Sequence, residues 1–234
     1  MYYGYGFGYD PTIILVIIGA LISGIASLNV RRTYNKYSKV RSYRGLTSNQ
    51  VAEQILHAAG IYDVRIERIR GNLTDHYSPN EKVLRLSDAT YGQTNVAAIG
   101  VAAHECGHAI QHQENYAPLK LRSASVPLAN IGSWVSWPVI LIGLVLGRTS
   151  IAQVGIFLFT FVVLFQLITL PVEFDASARA LRILEQDNIL EGEEHTGASR
   201  VLKAAALTYV AALFTTILQL LRLVLIVNGR SRRD

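Results

Sequence analysis

The 234-residue sequence is 50% hydrophobic and only 17% charged, with a mean hydropathy of +0.27, a balance that excludes an ordinary soluble protein. Its formal net charge of +5 does not require nucleic acid, because Lys and Arg beside membrane segments can face anionic lipid. The single cysteine, Cys106, excludes an internal disulfide and is compatible with a reducing compartment.

Four apolar stretches are each about long enough to cross a hydrocarbon core of ~30 Å, at residues 11–28, 126–147, 150–171 and 204–227. The first has no basic residue before it, so it reads as an uncleaved anchor rather than a signal peptide. The fourth contains Arg222, which has to snorkel to the surface or face other protein.

Basic residues near the ends of these stretches predict the orientation. If all four cross the membrane, residues 29–125 and 172–203 share one side, and most of the basic residues lie there, including Arg31, Arg32 and Lys36. The opposite side has Arg148, Arg230, Arg232 and Arg233. The positive-inside rule therefore predicts a multi-pass cell-membrane protein whose polar part lies in the cytosol.

The polar parts contain several predicted elements. Thr47 and Gln50 fit a capping box that opens a helix, and Gly60 can end it. A cap at Thr94 or Asn95 opens a second helix. In chain order we expect a helix, two strands joined by a turn-rich segment, two further helices and a polar break, at residues 47–60, 64–69, 82–87, 94–112, 173–188 and 191–197.

The helix 94–112 contains HECGH, an HExxH pattern formed by His104, Glu105 and His108. Side chains four residues apart lie on one face of a helix, so two imidazoles can bind one zinc ion. Glu105 is rotated by about 100° from His104. It can therefore act as general base toward a zinc-bound water without occupying the metal. Gly107 costs about 1 kcal/mol of helix propensity, which indicates close packing or a crowded approach to the metal.

A third ligand has to come from outside this helix. His112 lies about 12 Å from His104 along the axis, whereas donor atoms on tetrahedral zinc are roughly 3–4 Å apart. The metzincin extension needs glycine and histidine where this chain has Gln111 and Glu114. The second and third apolar stretches form a hairpin that returns the chain to the side it left. Glu173, which follows that hairpin, is therefore the predicted third ligand.

Four segments carry a family resemblance, namely LTDHYSPNEKVLRLS, VAAHECGHAIQH, EFDASARAL and AALTYVAAL. They are similar to the pattern of a small bacterial family of membrane zinc metallopeptidases typified by YugP, related in motif to the HtpX and prenyl-protein protease membrane gluzincins. The resemblance implies that His104, His108 and Glu173 bind zinc and that Glu105 is the catalytic base. The HtpX pattern has Asp four residues after the glutamate ligand, where this chain has Ser177. A carboxylate partner for a ligand histidine therefore stays unassigned.

Two further roles are left with alternatives. Peptide hydrolysis needs a donor for the oxyanion, and the candidates are His195, Tyr209 and His76, of which His195 is best placed because it follows the glutamate helix. The strand 82–87 is either an edge to which an extended peptide adds or an ordinary strand of the sheet.

These observations predict a mainly α integral membrane protein. It has about four transmembrane helices and a small α+β, gluzincin-like zinc protease domain built from the HExxH helix, a short β-sheet and the Glu-ligand helix. The expected segments are an N-terminal transmembrane anchor, a cytosolic metalloprotease part, a transmembrane hairpin, a Glu-ligand helical segment, and a C-terminal transmembrane helix with a basic tail, at residues 1–30, 31–125, 126–171, 172–203 and 204–234.

The predicted function is a membrane-embedded zinc endopeptidase with one Zn²⁺ per chain. It would hydrolyse peptide bonds of a peptide or membrane-protein substrate by Glu-assisted attack of a zinc-bound water. One alternative is a zinc-stabilised adaptor or chaperone without catalysis, although a purely structural site has no use for Glu105. The other is a site-2-type intramembrane protease, for which the apolar stretch VAAIGVAA before His104 is too short. The expected partners include the lipid bilayer but no nucleic acid, and the oligomeric state is open.

Overall fold

The computed structural model describes residues 10–231. Within this range the elements are α1 (Ile13–Tyr37), α2 (Ser48–Ala58), β1 (Arg65–Ile69), β2 (His76–Ser78), β3 (Val83–Ser87), α3 (Val96–Gln113), α4 (Ala117–Val145), α5 (Thr149–Gln186) and α6 (Gly192–Ser231). The start of the predicted anchor segment, residues 1–9, and the end of the predicted basic tail, residues 232–234, lie outside the described residues.

Four helices, α1, α4, α5 and α6, are long and apolar enough to cross a membrane. Together with the small sheet they confirm the predicted fold class. The predicted third span and the predicted helix 173–188 are one continuous helix, α5, of 38 residues. The expected polar break at 191–197 is wrong for most of its length, since α6 begins at Gly192. Glu193 and Glu194 lie in its first turn, where the helix dipole favours acidic side chains.

The two shorter helices begin at the predicted caps. The side chain of Thr47 accepts a hydrogen bond from the Gln50 amide, and the Gln50 side chain accepts one from the Thr47 amide, which completes the capping box of α2. Gly60 has a φ of +72°, the left-handed conformation that favours glycine just past a helix end. The side chain of Asn95 caps α3 by accepting from the Ala98 amide at 2.9 Å.

The sheet has the strand order β1-β3-β2, with β1 parallel and β2 antiparallel to β3. The strand predicted at 82–87 is therefore the central strand, and its interpretation as a peptide-binding edge is wrong because both of its sides are already paired. Strand β2 was not predicted from the sequence. Its three residues lie inside a segment whose Gly, Asn and Ser-Pro-Asn residues indicate only turns.

The chain divides into two compact units. Within the described residues, one comprises residues 10–24, Pro127–Leu164 and residues 211–231. Its core cluster consists of Ile140, Phe159 and Leu223. Within this unit a guanidinium nitrogen of Arg222 lies 3.0 Å from a carboxylate oxygen of Asp10, so Arg222 does face other protein, as expected for a cation in an apolar stretch.

The other unit comprises Ile25–Val126 and Phe165–Val210, and it contains the sheet, α2 and α3. Its largest fully buried side chains include Ile55, Leu56, Leu84, Leu86, Ile99 and Leu184. The backbones of α3 and α5 approach closely here. A Cβ atom on Gly107 would lie only 2.6 Å from the carbonyl oxygen of Ala176. The glycine before His108 therefore reflects close helix packing, one of the two reasons expected from the sequence.

We expect Gly107→Ala to lower the free energy of unfolding by about 1–3 kcal/mol, because the added methyl group forces the two backbones apart. Denaturant unfolding of the detergent-solubilised protein measures this. The matched control is Gly100→Ala on the same helix, where the nearest atom to an added Cβ would be the Ala198 methyl at 3.3 Å. Equal losses in the two variants would contradict the packing argument.

Candidate metal centre

Helix α3 places two imidazoles on one face. His104 and His108 are one turn apart, and their ring centroids are separated by 4.7 Å in an edge-to-face arrangement. Their outer nitrogens point toward the same space, where a carboxylate from α5 also arrives. His104, His108 and Glu173 each offer a ligand atom within 4.8 Å of the others.

Glu173 supplies the carboxylate, and its side chain is only 3% exposed. Its Oε2 atom lies 3.4 Å from Nε2 of His104 and 3.7 Å from Nε2 of His108. Among the described residues Oε2 has no hydrogen-bond partner, although it is fully buried. A buried oxygen without a donor is costly unless something else satisfies it.

This donor set fits a zinc ion. Two imidazole nitrogens and one carboxylate oxygen are the ligands of known catalytic zinc sites. The separations of 3.4 and 3.7 Å match the roughly 3–4 Å between donor atoms around a tetrahedral zinc. A cation at this point would satisfy the unpartnered Oε2 of Glu173, and three protein ligands would leave one position open.

Each histidine ring is fixed by a further hydrogen bond. The Ser177 hydroxyl lies 3.1 Å from Nδ1 of His104, and Oε1 of Gln111 lies 3.0 Å from Nδ1 of His108. The fully buried Gln111 donates in turn to the Val172 carbonyl at 2.9 Å and to the Asp175 carboxylate at 2.8 Å. These contacts hold both Nε2 atoms toward the centre, as partners of metal-binding histidines do.

The second oxygen of Glu173 has a partner of its own. Nη1 of Arg122, on α4, donates to Oε1 of Glu173 at 3.2 Å. One carboxylate oxygen is thus held by a guanidinium, and the other is left to face the two imidazoles. The contact fixes the orientation of the carboxylate and offsets its charge.

Glu105 lies beside the cluster without belonging to it. Its side chain is 7% exposed, and Oε2 accepts a hydrogen bond from the backbone N–H of Tyr77 at 2.9 Å. The donor belongs to β2, an edge strand of the sheet. Glu105 thus lies outside the group of possible metal ligands, and its role as general base stays a prediction.

Two cavities reach the cluster, with volumes of about 250 and 270 Å³. Both are lined by Asp75, His104, Glu105, Glu173 and Tyr209. The first continues along small and apolar side chains of α6, and the second along β2 and Arg122 of α4. Either cavity could therefore bring a small molecule to the cluster.

The other candidate residues lie elsewhere. Nε2 of His195 is 3.2 Å from the Leu181 carbonyl oxygen, and His195 lines neither cavity, so its role as oxyanion donor stays a prediction without geometric support. His76 lines one of the two cavities. Nδ1 of His112 lies 2.9 Å from the Tyr77 hydroxyl, away from the cluster. Burial raises the pKa of the Cys106 thiol well above its usual range, and Cys106 lies outside the group of possible metal ligands.

The contacts made by Gln111, Arg122 and Ser177 were not predicted from the sequence. For Gln111 a signal exists, because its position three residues after His108 places it on the same helix face. Arg122 is a basic residue next to an apolar stretch, which by itself suggests only a contact with lipid headgroups. No sequence pattern indicates that its guanidinium turns toward Glu173.

Comparison with known proteins agrees with this geometry. Residues 12–228 match the family model described as "Putative neutral zinc metallopeptidase". The chain belongs to this family. It is also 46% identical over 219 residues to "Putative membrane protease YugP" of Bacillus subtilis (strain 168), covering 93% of this chain and 97% of YugP. No solved structure gives a significant match. The family and the four apolar helices identify a zinc metallopeptidase-family protein of the membrane.

We expect zinc binding by purified variants to fall more when a candidate ligand is removed than when a hydrogen-bond partner of a ligand is removed. His108→Ala and Glu173→Ala should lose the metal because each removes one of three donors. Ser177→Ala and Gln111→Leu should weaken zinc affinity by about 10–100-fold, because each releases an imidazole without removing it. Elemental analysis and competition with a chelating dye measure both effects.

The control is His57→Ala, on the exposed surface of α2, which should bind zinc like the wild type. Full zinc retention by Glu173→Ala would contradict the proposed ligand set.

Proposed function

We propose that this chain is a membrane-embedded zinc-dependent endopeptidase whose metal ligands are His104, His108 and Glu173. The observation that carries the proposal is the buried, unpartnered Oε2 of Glu173 facing both imidazoles. The chain's membership in a zinc metallopeptidase family supports the same chemistry.

A bound zinc ion supplies Lewis acidity, which lowers the pKa of water and polarises a carbonyl group. The protein's own residues provide the rest. Glu105 accepts a proton from the attacking water while the water oxygen bonds to the scissile carbonyl carbon. When the C–N bond breaks, Glu105 returns that proton to the leaving amine. The Tyr77 amide holds Glu105 in position for both transfers.

The two cavities favour an endopeptidase over an enzyme that trims chain ends. They share His104, Glu105 and Glu173 but extend along different elements, one along α6 and the other along β2 and α4, so an extended chain can continue on both sides of the scissile bond. One cavity is bordered by the apolar residues of α6. A segment of a membrane protein, or an unfolded peptide, is the substrate class that suits such a wall.

We place the active site at the cytosolic surface of the membrane, on the basis of the Arg and Lys residues near the span ends. Helix α3, which contains Glu105, is not among the helices of residues 10–231 that could span a membrane. That disfavours a site-2-type enzyme, in which the HExxH helix lies within the bilayer.

The decisive variant is Glu105→Gln, which should retain zinc at wild-type stoichiometry and lose cleavage of a fluorescent unfolded-protein substrate. The amide keeps the size of the carboxylate but cannot accept the proton. Glu53→Gln, an exposed carboxylate on α2, is the matched control and should retain turnover. Unchanged turnover by Glu105→Gln would leave the non-catalytic adaptor as the better explanation.

For the developing oxyanion we propose the phenol of Tyr209 as the hydrogen-bond donor. Tyr209 was one of three candidates from the sequence, and it lines both cavities beside Glu173. His76 lines only one of them, and the Nε2 atom of His195 faces a backbone carbonyl. Tyr209 is therefore the candidate that a substrate can meet from either direction.

Tyr209→Phe should lower kcat by about 10²–10³-fold with zinc content unchanged, the usual effect of removing one oxyanion donor. Tyr62→Phe, at an exposed position, controls for loss of a phenol elsewhere. If His195→Gln lost turnover and Tyr209→Phe did not, the role would return to His195, as first predicted from the sequence.

A further inference from the structure

A cavity of about 300 Å³ lies between α1 and α6, apart from the metal centre. It is lined by eight residues, which include Asn29, Lys36, Tyr37, Arg200, Lys203 and Leu207. No carboxylate is among these residues. The proposed peptidase activity assigns no role to any of them.

Three exposed cations line this cavity. Lys36, Arg200 and Lys203 form no ion pair with any carboxylate of the described residues 10–231. Nη1 of Arg200 donates to the hydroxyl of the buried Tyr37 at 2.9 Å, and Nζ of Lys36 lies 5.3 Å from the Tyr37 ring centroid. Tyr37 thus anchors two of the three cations at the cavity, where their mutual repulsion favours an anionic ligand.

The cavity lies where both helices change from apolar to polar sequence. The apolar stretch of α1 ends at Leu28, immediately before Asn29, and that of α6 begins at Ala204, immediately after Lys203. On the apolar side of this boundary, the side chain of Leu207 is 52% exposed. The cavity therefore combines a cationic part with an adjoining apolar surface.

We propose that this cavity binds the phosphate headgroup of an anionic phospholipid, with Lys36, Arg200 and Lys203 around the phosphate and an acyl chain against Leu207. Basic pockets between membrane helices at the bilayer surface suit such headgroups. A free phosphate ion would use the cations alone. The exposed leucine at the membrane boundary is what favours a lipid.

A lipid in this cavity would contact α1 and α6, the same two helices that line a cavity at the candidate metal centre. Helix α6 lines this cavity with Lys203 and Leu207 and lines a cavity at the metal centre with Ala205 and Tyr209. Helix α1 contributes Val30 to that same metal-centre cavity. A phosphate held by both helices therefore strengthens their contact next to the site. The binding itself does not depend on the peptidase proposal.

The test is native mass spectrometry of the full chain in detergent, titrated with phosphatidylglycerol, phosphatidylcholine or inorganic phosphate. We expect wild type to retain phosphatidylglycerol, and the triple variant Lys36→Gln, Arg200→Gln, Lys203→Gln to bind it about ten-fold more weakly or worse. Phosphatidylcholine and inorganic phosphate should not compete. If the triple variant does not fold, Lys203→Gln and Leu207→Asp provide the same test singly.

The charge-matched control is Arg31→Gln, Arg32→Gln, Lys39→Gln, which removes three exposed juxtamembrane cations that do not line the cavity. It should bind phosphatidylglycerol like the wild type. Equal weakening in both triple variants would mean that net charge alone attracts the lipid and would overturn the proposal. Displacement of the lipid by inorganic phosphate would make the cavity a free-anion site instead.

Discussion

The candidate metal centre depends on the close approach of two helix backbones at Gly107 and Ala176. Because position 107 has no side chain, α5 can pack directly against the face of α3 that presents His108. Glu173 precedes Ala176 by three residues and therefore projects from the same side of α5. The separation between the carboxylate oxygen and the two imidazole nitrogens is thus set by backbone packing. A larger residue at position 107 would shift the carboxylate relative to the two imidazoles, although none of the three candidate ligand residues is itself replaced.

Hydrogen bonds from polar side chains then fix the orientation of the two imidazoles and of the Glu173 carboxylate. Ser177 and Gln111 reach the inner nitrogens of the two rings, and Arg122 takes one of the two oxygens of Glu173. Gln111 has the most partners, because its fully buried side chain forms hydrogen bonds with His108, with the Val172 carbonyl and with Asp175. A buried network of this kind stabilises one arrangement only if every member is satisfied.

The sequence predicted the parts of this protein that follow from local pattern. The four long helices, the caps at Thr47 and Asn95, and the pairing of HECGH with Glu173 all depend on spacing or on hairpin topology. It did not predict β2, whose three residues are too few to show an alternating pattern. The role of Arg122 was also not predictable, since its contact with Glu173 depends on how α4 packs.

The contact between β2 and the proposed general base is made by main chain rather than by a side chain. Truncating Tyr77 to alanine leaves its amide in place, so an alanine scan of the strand would register no change at Glu105 from this bond. Only proline, or an ester in place of the amide, deletes such a donor. Alanine scanning therefore cannot detect the hydrogen bond from β2 to Glu105. Only a change to the backbone at Tyr77 can remove it.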